Sequence, residues 1–304
     1  MNAGISTKLS DKIRLLGRRV VFSLLSDSTA QSLKKHHYLK LLQNISPDDE
    51  PDLKIIDHIV KPGDSVVDIG ANIGLYTKFL SHMIAVSDNS QDGSQKNEQP
   101  EIITEGKVFS IEPFPQTFEL LSYNTEELGL SNVELMNLAV SSHNGAVTMV
   151  LPSSLIGRET HYRASVVNED SDTGSDAEDT GPAEKFADVQ AATMDSLFAN
   201  KAQDISFVKC DVEGHEPAVI AGAKQFLKKT DCAWLIEVSG NPDDEASQAF
   251  KLFKTMYGYG YTVWWFDGRE LHPRKPGDSS VNYFFLKHQH TVQIADNYPN
   301  TVIL

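Results

Sequence analysis

The chain has 304 residues, 40% hydrophobic and 23% charged, with a formal net charge of −15. That length buries a sizeable core, as one large domain or one domain with an appendage, and the balance is that of an ordinary soluble globular protein. The acidity, and the lack of a long basic stripe with interleaved aromatics, speak against a nucleic-acid surface.

Most of the charge is local. Residues 168–184 carry Glu169, Asp170, Asp172, Asp176, Glu178, Asp179 and Glu184 with no Lys or Arg, contributing −7. Residues 86–105 contribute −4. Both stretches read as mobile acidic insertions in a core that is close to neutral. Residues 1–46 lean the other way, with eight Lys/Arg against Asp11 and Asp27. Helical spacing of Ile13, Leu16, Val20 and Leu24 predicts one or two helices over 8–44. A basic helical face is usually solvated, and peripheral contact with an anionic surface or an acidic partner is its other use. The apolar piece from Val20 to Leu25 is too short to span a membrane, so no transmembrane segment is predicted. Cys210 and Cys232 border apolar strand-like runs and read as buried thiols, and the cytoplasm is the default compartment.

A Pro/Asp stretch at 47–52 breaks the helical pattern, and a short helix at 53–60 ends in Lys61-Pro62-Gly63-Asp64. Strand and helix then alternate. Strands are predicted at 65–69, 107–111, 132–136, 205–210, 232–238, 260–266 and 281–287. Helices are predicted at 73–85, 115–128, 216–228 and 244–258, with further short strands at 145–151 and 187–192. The alternation implies a mostly parallel sheet flanked by helices. The last two strands, rich in aromatics around Trp264 and Trp265, fit an antiparallel pair closing one edge.

Val66-Val67-Asp68-Ile69-Gly70-Ala71-Asn72-Ile73-Gly74-Leu75-Tyr76 is a buried strand, a tight two-glycine loop and a helix start. Such an arrangement brings backbone amides against a nucleotide-like ligand. Its G-x-x-x-G spacing departs from the G-x-G-x-x-G of dinucleotide folds, and it resembles the S-adenosylmethionine loop of class I methyltransferases. Val108-Phe109-Ser110-Ile111-Glu112-Pro113 then places an acid at a strand end, where it can accept both hydroxyls of a ribose. After the third strand, Asn137 or the backbone near Ala139 is positioned to meet an adenine edge. A fourth strand delivers Asp211, Glu213, His215 and Glu216 within six residues, around Gly214 at a helix entrance. Crowded ionisable groups at a strand's carboxyl end face the ligand crevice and suit general-base work. One of these acids can equally cap the following helix. Glu237 ends the next strand at the same edge. No metal is expected, although Asp211 and Glu237 have the oxygen chemistry to share a divalent cation.

These segments, together with Thr193-Met194-Asp195-Ser196-Leu197 and Lys209-Cys210-Asp211-Val212-Glu213-Gly214-His215-Glu216, resemble in that order the FkbM family of methyltransferases over roughly residues 53–287. The D-V-E-G-H-E run is the most specific part. The resemblance implies a class I, Rossmann-like three-layer sandwich with a seven-stranded, mostly parallel sheet and an antiparallel edge strand. It implies a methyltransferase domain, placed here at 51–290 between a helical extension at 1–50 and a tail at 291–304; the basic helical N-terminus and the two acidic insertions depart from the family. It also implies S-adenosylmethionine as donor and transfer to a hydroxyl, most often of a carbohydrate or small natural product. On that reading Asp68, Gly70, Asn72, Gly74 and Tyr76 hold the donor together with Glu112, Pro113, Asn137, Ala139 and Asp211. Asp211, Glu213 and His215 are then the catalytic candidates. Two other classes compete: a nucleotide-binding oxidoreductase, which would bind NAD, and a non-catalytic methyltransferase fold that binds a partner. The sequence does not specify the acceptor or the oligomeric state.

Overall fold

The computed structural model describes residues 27–86, 106–151, 165–166 and 185–297. The predicted helical stretch before residue 27 and most of both acidic insertions lie outside the described residues. In chain order, helix α1 (Asp27–Asn44) leads through a 3-10 turn (Pro47–Asp49) to the short helix α2 (Leu53–Ile56). Strand β1 (Ser65–Ile69), helix α3 (Leu75–Met83), β2 (Val108–Ile111), α4 (Pro115–Glu127) and β3 (Val133–Met136) form the first half. The short strands β4 (Ala139–Val140), β5 (Gly145–Leu151), β6 (Ser165–Val166) and β7 (Lys185–Ala192) follow, then α5 (Met194–Leu197). The second half is β8 (Ile205–Cys210), α6 (Glu216–Ala221), α7 (Lys224–Lys229), β9 (Ala233–Glu237), α8 (Gln248–Gly258), β10 (Thr262–Phe266), β11 (Leu271–Pro273), β12 (Asn282–Leu286) and α9 (His288–Asn297).

The main sheet has eight strands in the order β11-β10-β12-β9-β8-β1-β2-β3. Pairing is parallel from β3 to β9, while β12 runs antiparallel between β9 and β10. This is the class I methyltransferase sheet with one more strand than the sequence predicts. The hairpin partner β11 is three residues long, too short to show a period. The predicted pair of final strands does form, but β11 takes the edge and β12 lies inside. The strands predicted at 145–151 and 187–192 pair antiparallel in a separate four-stranded sheet, order β4-β7-β5-β6.

Strand alternation sorts the core into two layers. Val66, Val108, Phe207, Leu235 and Phe284 pack with Ile55, Ile56, Phe79 and Leu80 on one face. Val67, Phe109, Val208, Trp234 and Phe285 pack with Val219, Phe226, Leu252 and Phe253 on the other. The helix predicted over 216–228 is two, because the chain turns at Gly222 to approach β4. A Cβ built there would lie 2.1 Å from the Ser141 carbonyl oxygen. α1 sits over α4, with Tyr38 and Leu42 packed on Ile73 and Leu120. Lys78 of α3 donates to the carbonyls of Leu42 and Ile45 at 2.6 and 3.3 Å, satisfying the carboxyl end of α1.

Candidate active site

Parallel register places Ser110, Asp68 and Lys209 side by side on three adjacent strands, on one face. The Thr77 hydroxyl from α3 donates to Asp68 at 2.7 Å and shares a 2.9 Å hydrogen bond with Ser110. The Lys209 ammonium lies 3.6 Å from Asp68 and 3.3 Å from Asp211, and donates to the Gly70 carbonyl at 3.2 Å. It also stands 5.1 Å over the Tyr76 ring, a cation–π contact. One buried ammonium thus ties together β1, the glycine loop and the end of β8. Burial raises the Asp68 carboxyl above its usual range, against the pull of Lys209 and Thr77. Burial works to raise Asp211, but the Lys209 charge together with hydrogen bonds to Glu237 and Lys209 holds that carboxyl low.

The glycine loop is stitched to β2. Gly70 and Ala71 donate to the Ile111 carbonyl at 2.9 and 3.0 Å, Asn72 to a Glu112 carboxylate oxygen at 3.0 Å, and Gly74 to the Ala71 carbonyl at 2.9 Å. The amides of Gly70, Ala71, Asn72 and Gly74 are therefore paired within the fold. The close approach explains the first glycine: a Cβ at Gly70, whose φ is +76°, would meet the Asp211 carbonyl oxygen at 1.8 Å. Asn72 takes φ 53°, a left-handed conformation that Asn tolerates.

Glu112 stands at the expected strand end. Its second carboxylate oxygen accepts the Phe114 amide at 3.0 Å, and burial pushes its pKa up to about 7. Asn137 donates to the carbonyls of Glu112 and Pro113 at 2.8 and 3.0 Å, bracing the loop after β2. Ala139 is buried in β4. The Asn72 Oδ1 and His215 Nδ1 are buried and have no hydrogen-bond partner among the described residues.

The D-V-E-G-H-E run divides between roles. Glu216 caps its own loop, accepting the amides of Val212 and Gly214 at 3.0 and 3.1 Å. Asp211 and Glu237 are hydrogen-bonded to each other. Burial, and then the Asp211 charge, push Glu237 up to about 9, so this pair holds a proton at neutral pH. Glu213 is exposed, with φ 52°, and its charge also weighs on Glu237. His215 turns instead to Ser141, 3.0 Å from its Nε2, and burial followed by the charge of His143 pushes it down to about 4. Among the described residues no group of three or more His, Cys, Asp or Glu is placed to hold a metal ion. Asp211 and Glu237 find no third ligand there, and Lys209 is the cation beside Asp211.

Sequence reasoning missed Lys209, read only as part of a motif, and Glu50. The Glu50 carboxyl accepts the Tyr76 hydroxyl, and burial raises its pKa to about 7. Two residues on, Asp52 accepts Asn282 Nδ2 at 2.7 Å.

The family model for the methyltransferase FkbM domain matches residues 68–263. The chain belongs to this family. It is an S-adenosylmethionine-dependent methyltransferase of FkbM type with a class I fold. Similar solved structures include methyltransferase FkbM from Methylobacillus flagellatus KT, at 13% identity and TM-score 0.41, covering 92% of this chain and 60% of that one. Precorrin-6y C5,15-methyltransferase from Geobacter metallireducens shares 12% identity at TM-score 0.38, covering 77% and 84%. Aeropyrum pernix fibrillarin, solved with bound S-adenosyl-L-methionine, shares 10% identity at TM-score 0.38, covering 75% and 67%. No curated protein matches the chain.

Proposed function

We propose that this FkbM methyltransferase methylates a hydroxyl oxygen of a carbohydrate or small natural product. The observation that carries the reading is the Asp211–Glu237 carboxyl pair beside Lys209, at the carboxyl ends of adjacent strands and next to the donor loop. Bound S-adenosylmethionine supplies an electrophilic methyl on a sulfonium sulfur. The protein's share of the work is to align the acceptor and remove its proton, since an alcohol is a poor nucleophile at neutral pH.

On this reading Glu112 orients the donor ribose, with Asn72, Pro113, Asn137 and Ala139 around the base and sugar. Asp68, Gly70, Gly74 and Tyr76 shape the loop. Asp211, kept ionised by Lys209, accepts the acceptor's O–H and aims its oxygen. Glu213 and His215 are the remaining catalytic candidates within the run, although His215 is committed to Ser141.

The test is incubation with isotopically methyl-labelled donor and a panel of neutral glycosides and hydroxylated small molecules, with products read by mass spectrometry. Methyl ethers are expected, and Asp211→Asn should lower turnover about 10²-fold or more. Label found only on nitrogen or carboxyl oxygen would overturn the hydroxyl assignment.

A further inference from the structure

A hydroxyl acceptor must give up a proton, and Asp211, Glu237 and His215 are each already engaged. Asp211 is ion-paired with Lys209, Glu237 already carries the proton it shares with Asp211, and His215 is bonded to Ser141. A different carboxyl meets the need. Asp52 is tied to Asn282 at the start of β12, and Asn282 stands opposite Glu237 across the β9–β12 pairing. Two residues earlier the Glu50 carboxyl accepts the Tyr76 hydroxyl from the first turn of α3, beyond β1. The segment joining these anchors runs from the side chain of Asn282, opposite Glu237, to that of Tyr76. Glu50 is half-buried there, within electrostatic reach of Lys209 and Asp211.

We propose that Glu50, carried on the turn ahead of the family-matched domain, faces the transferring methyl from the acceptor side and takes up the hydroxyl proton. The inference rests on the O-methylation reading above. As the oxygen–methyl bond forms, the sulfur–methyl bond breaks and its electron pair stays on sulfur as a neutral thioether. The hydroxyl proton passes to a Glu50 carboxylate oxygen. The groups that set the charge of Glu50 are Asp52 on its own segment, Tyr76 on α3, and Lys209 and Asp211 at β8. Burial raises Glu50 to about 7, a range in which it can accept a proton and release it again in each turnover.

A carboxylate in that position also favours a sulfonium over a thioether, which gives a readout needing no acceptor. Calorimetry on the full chain at pH 8 compares S-adenosylmethionine with S-adenosylhomocysteine. Glu50→Gln, whose amide oxygen still accepts the Tyr76 hydroxyl, should weaken the sulfonium ligand about 3- to 10-fold while the thioether stays within about twofold. An unchanged ratio of the two affinities would remove Glu50 from the acceptor side. With any glycoside the wild type methylates, Glu50→Gln should lower kcat about 10²-fold and flatten the rise of kcat between pH 6 and 8, with Glu50→Asp partly restoring it. A Gln variant that turns over within twofold of wild type would overturn the proton role. If the affinity ratio shifts while the wild type methylates no hydroxyl in the panel, the hydroxyl reading falls and the placement of Glu50 stands.

Discussion

Both carboxylate oxygens of Glu112 accept backbone amides, one from the glycine loop and one from the loop after β2, and each oxygen keeps capacity for another donor. The same side chain therefore holds two loops together and can receive a ribose. Glu112→Ala removes charge-assisted bonds worth about 1.5–3 kcal/mol each, so S-adenosylhomocysteine should bind about 10- to 100-fold more weakly by calorimetry. Unchanged affinity would take Glu112 out of the donor site. At this scale the positions of Asp68, Glu112 and Asp211 near strand ends were legible, because an acid beside an apolar run marks where the strand stops. Lys209 and Glu50 were not. The value of Lys209 depends on which strands flank β8, and that of Glu50 on a bond to Tyr76 twenty-six residues away. The division of the D-V-E-G-H-E run, with Glu216 capping and His215 turned to Ser141, is set by side-chain direction that spacing alone does not encode.

The glycine loop and α1 act as one element. α1 packs Leu42, fully buried, against Ile73 of the loop and Leu120 of α4. Leu42→Ala should cost about 2–5 kcal/mol in denaturant unfolding, and it should weaken donor binding because its cavity opens beside Ile73. Gly70→Ala is a harsher test: it sets a Cβ against the Asp211 carbonyl oxygen at a left-handed φ. We expect it to cost more than about 3 kcal/mol and to abolish S-adenosylhomocysteine binding, read by thermal unfolding and calorimetry. The long central elements were readable from period and punctuation, since β1, β2, β8 and β9 are mostly apolar runs bounded by turn residues. The split at Gly222 and the separate sheet of β4 to β7 were not, because each arises from contact between distant segments.

Among the described residues burial raises six carboxyls: Asp52 to about 6, Glu50 and Glu112 to about 7, Glu237 to about 9, and Asp68 and Glu216 above their ordinary range. Above their ordinary range the unfolded chain releases protons that the native state keeps, so stability falls as pH rises from about 4.5 towards 9. His215 and His290 act oppositely. Burial pushes both down to about 4, and the unfolded chain takes up protons below about 6.5 that the native state refuses. Ligand-free protein should therefore melt higher at pH 6.5 than at pH 9, and Glu237→Gln should shrink the difference. A melting temperature that rises over that interval would contradict the buried-acid pattern.

Because β12 is threaded between β9 and β10, the order of synthesis and the order of the sheet disagree. A nascent chain that has emerged as far as β10 holds both neighbours of an empty slot, each with an open row of backbone donors and acceptors. It can close that slot only when residues 282–286 arrive. Until then the half-made sheet exposes edges that can pair with another chain. The Asp52 contact waits on the same moment, because Asn282, which bonds Asp52, travels on that last strand.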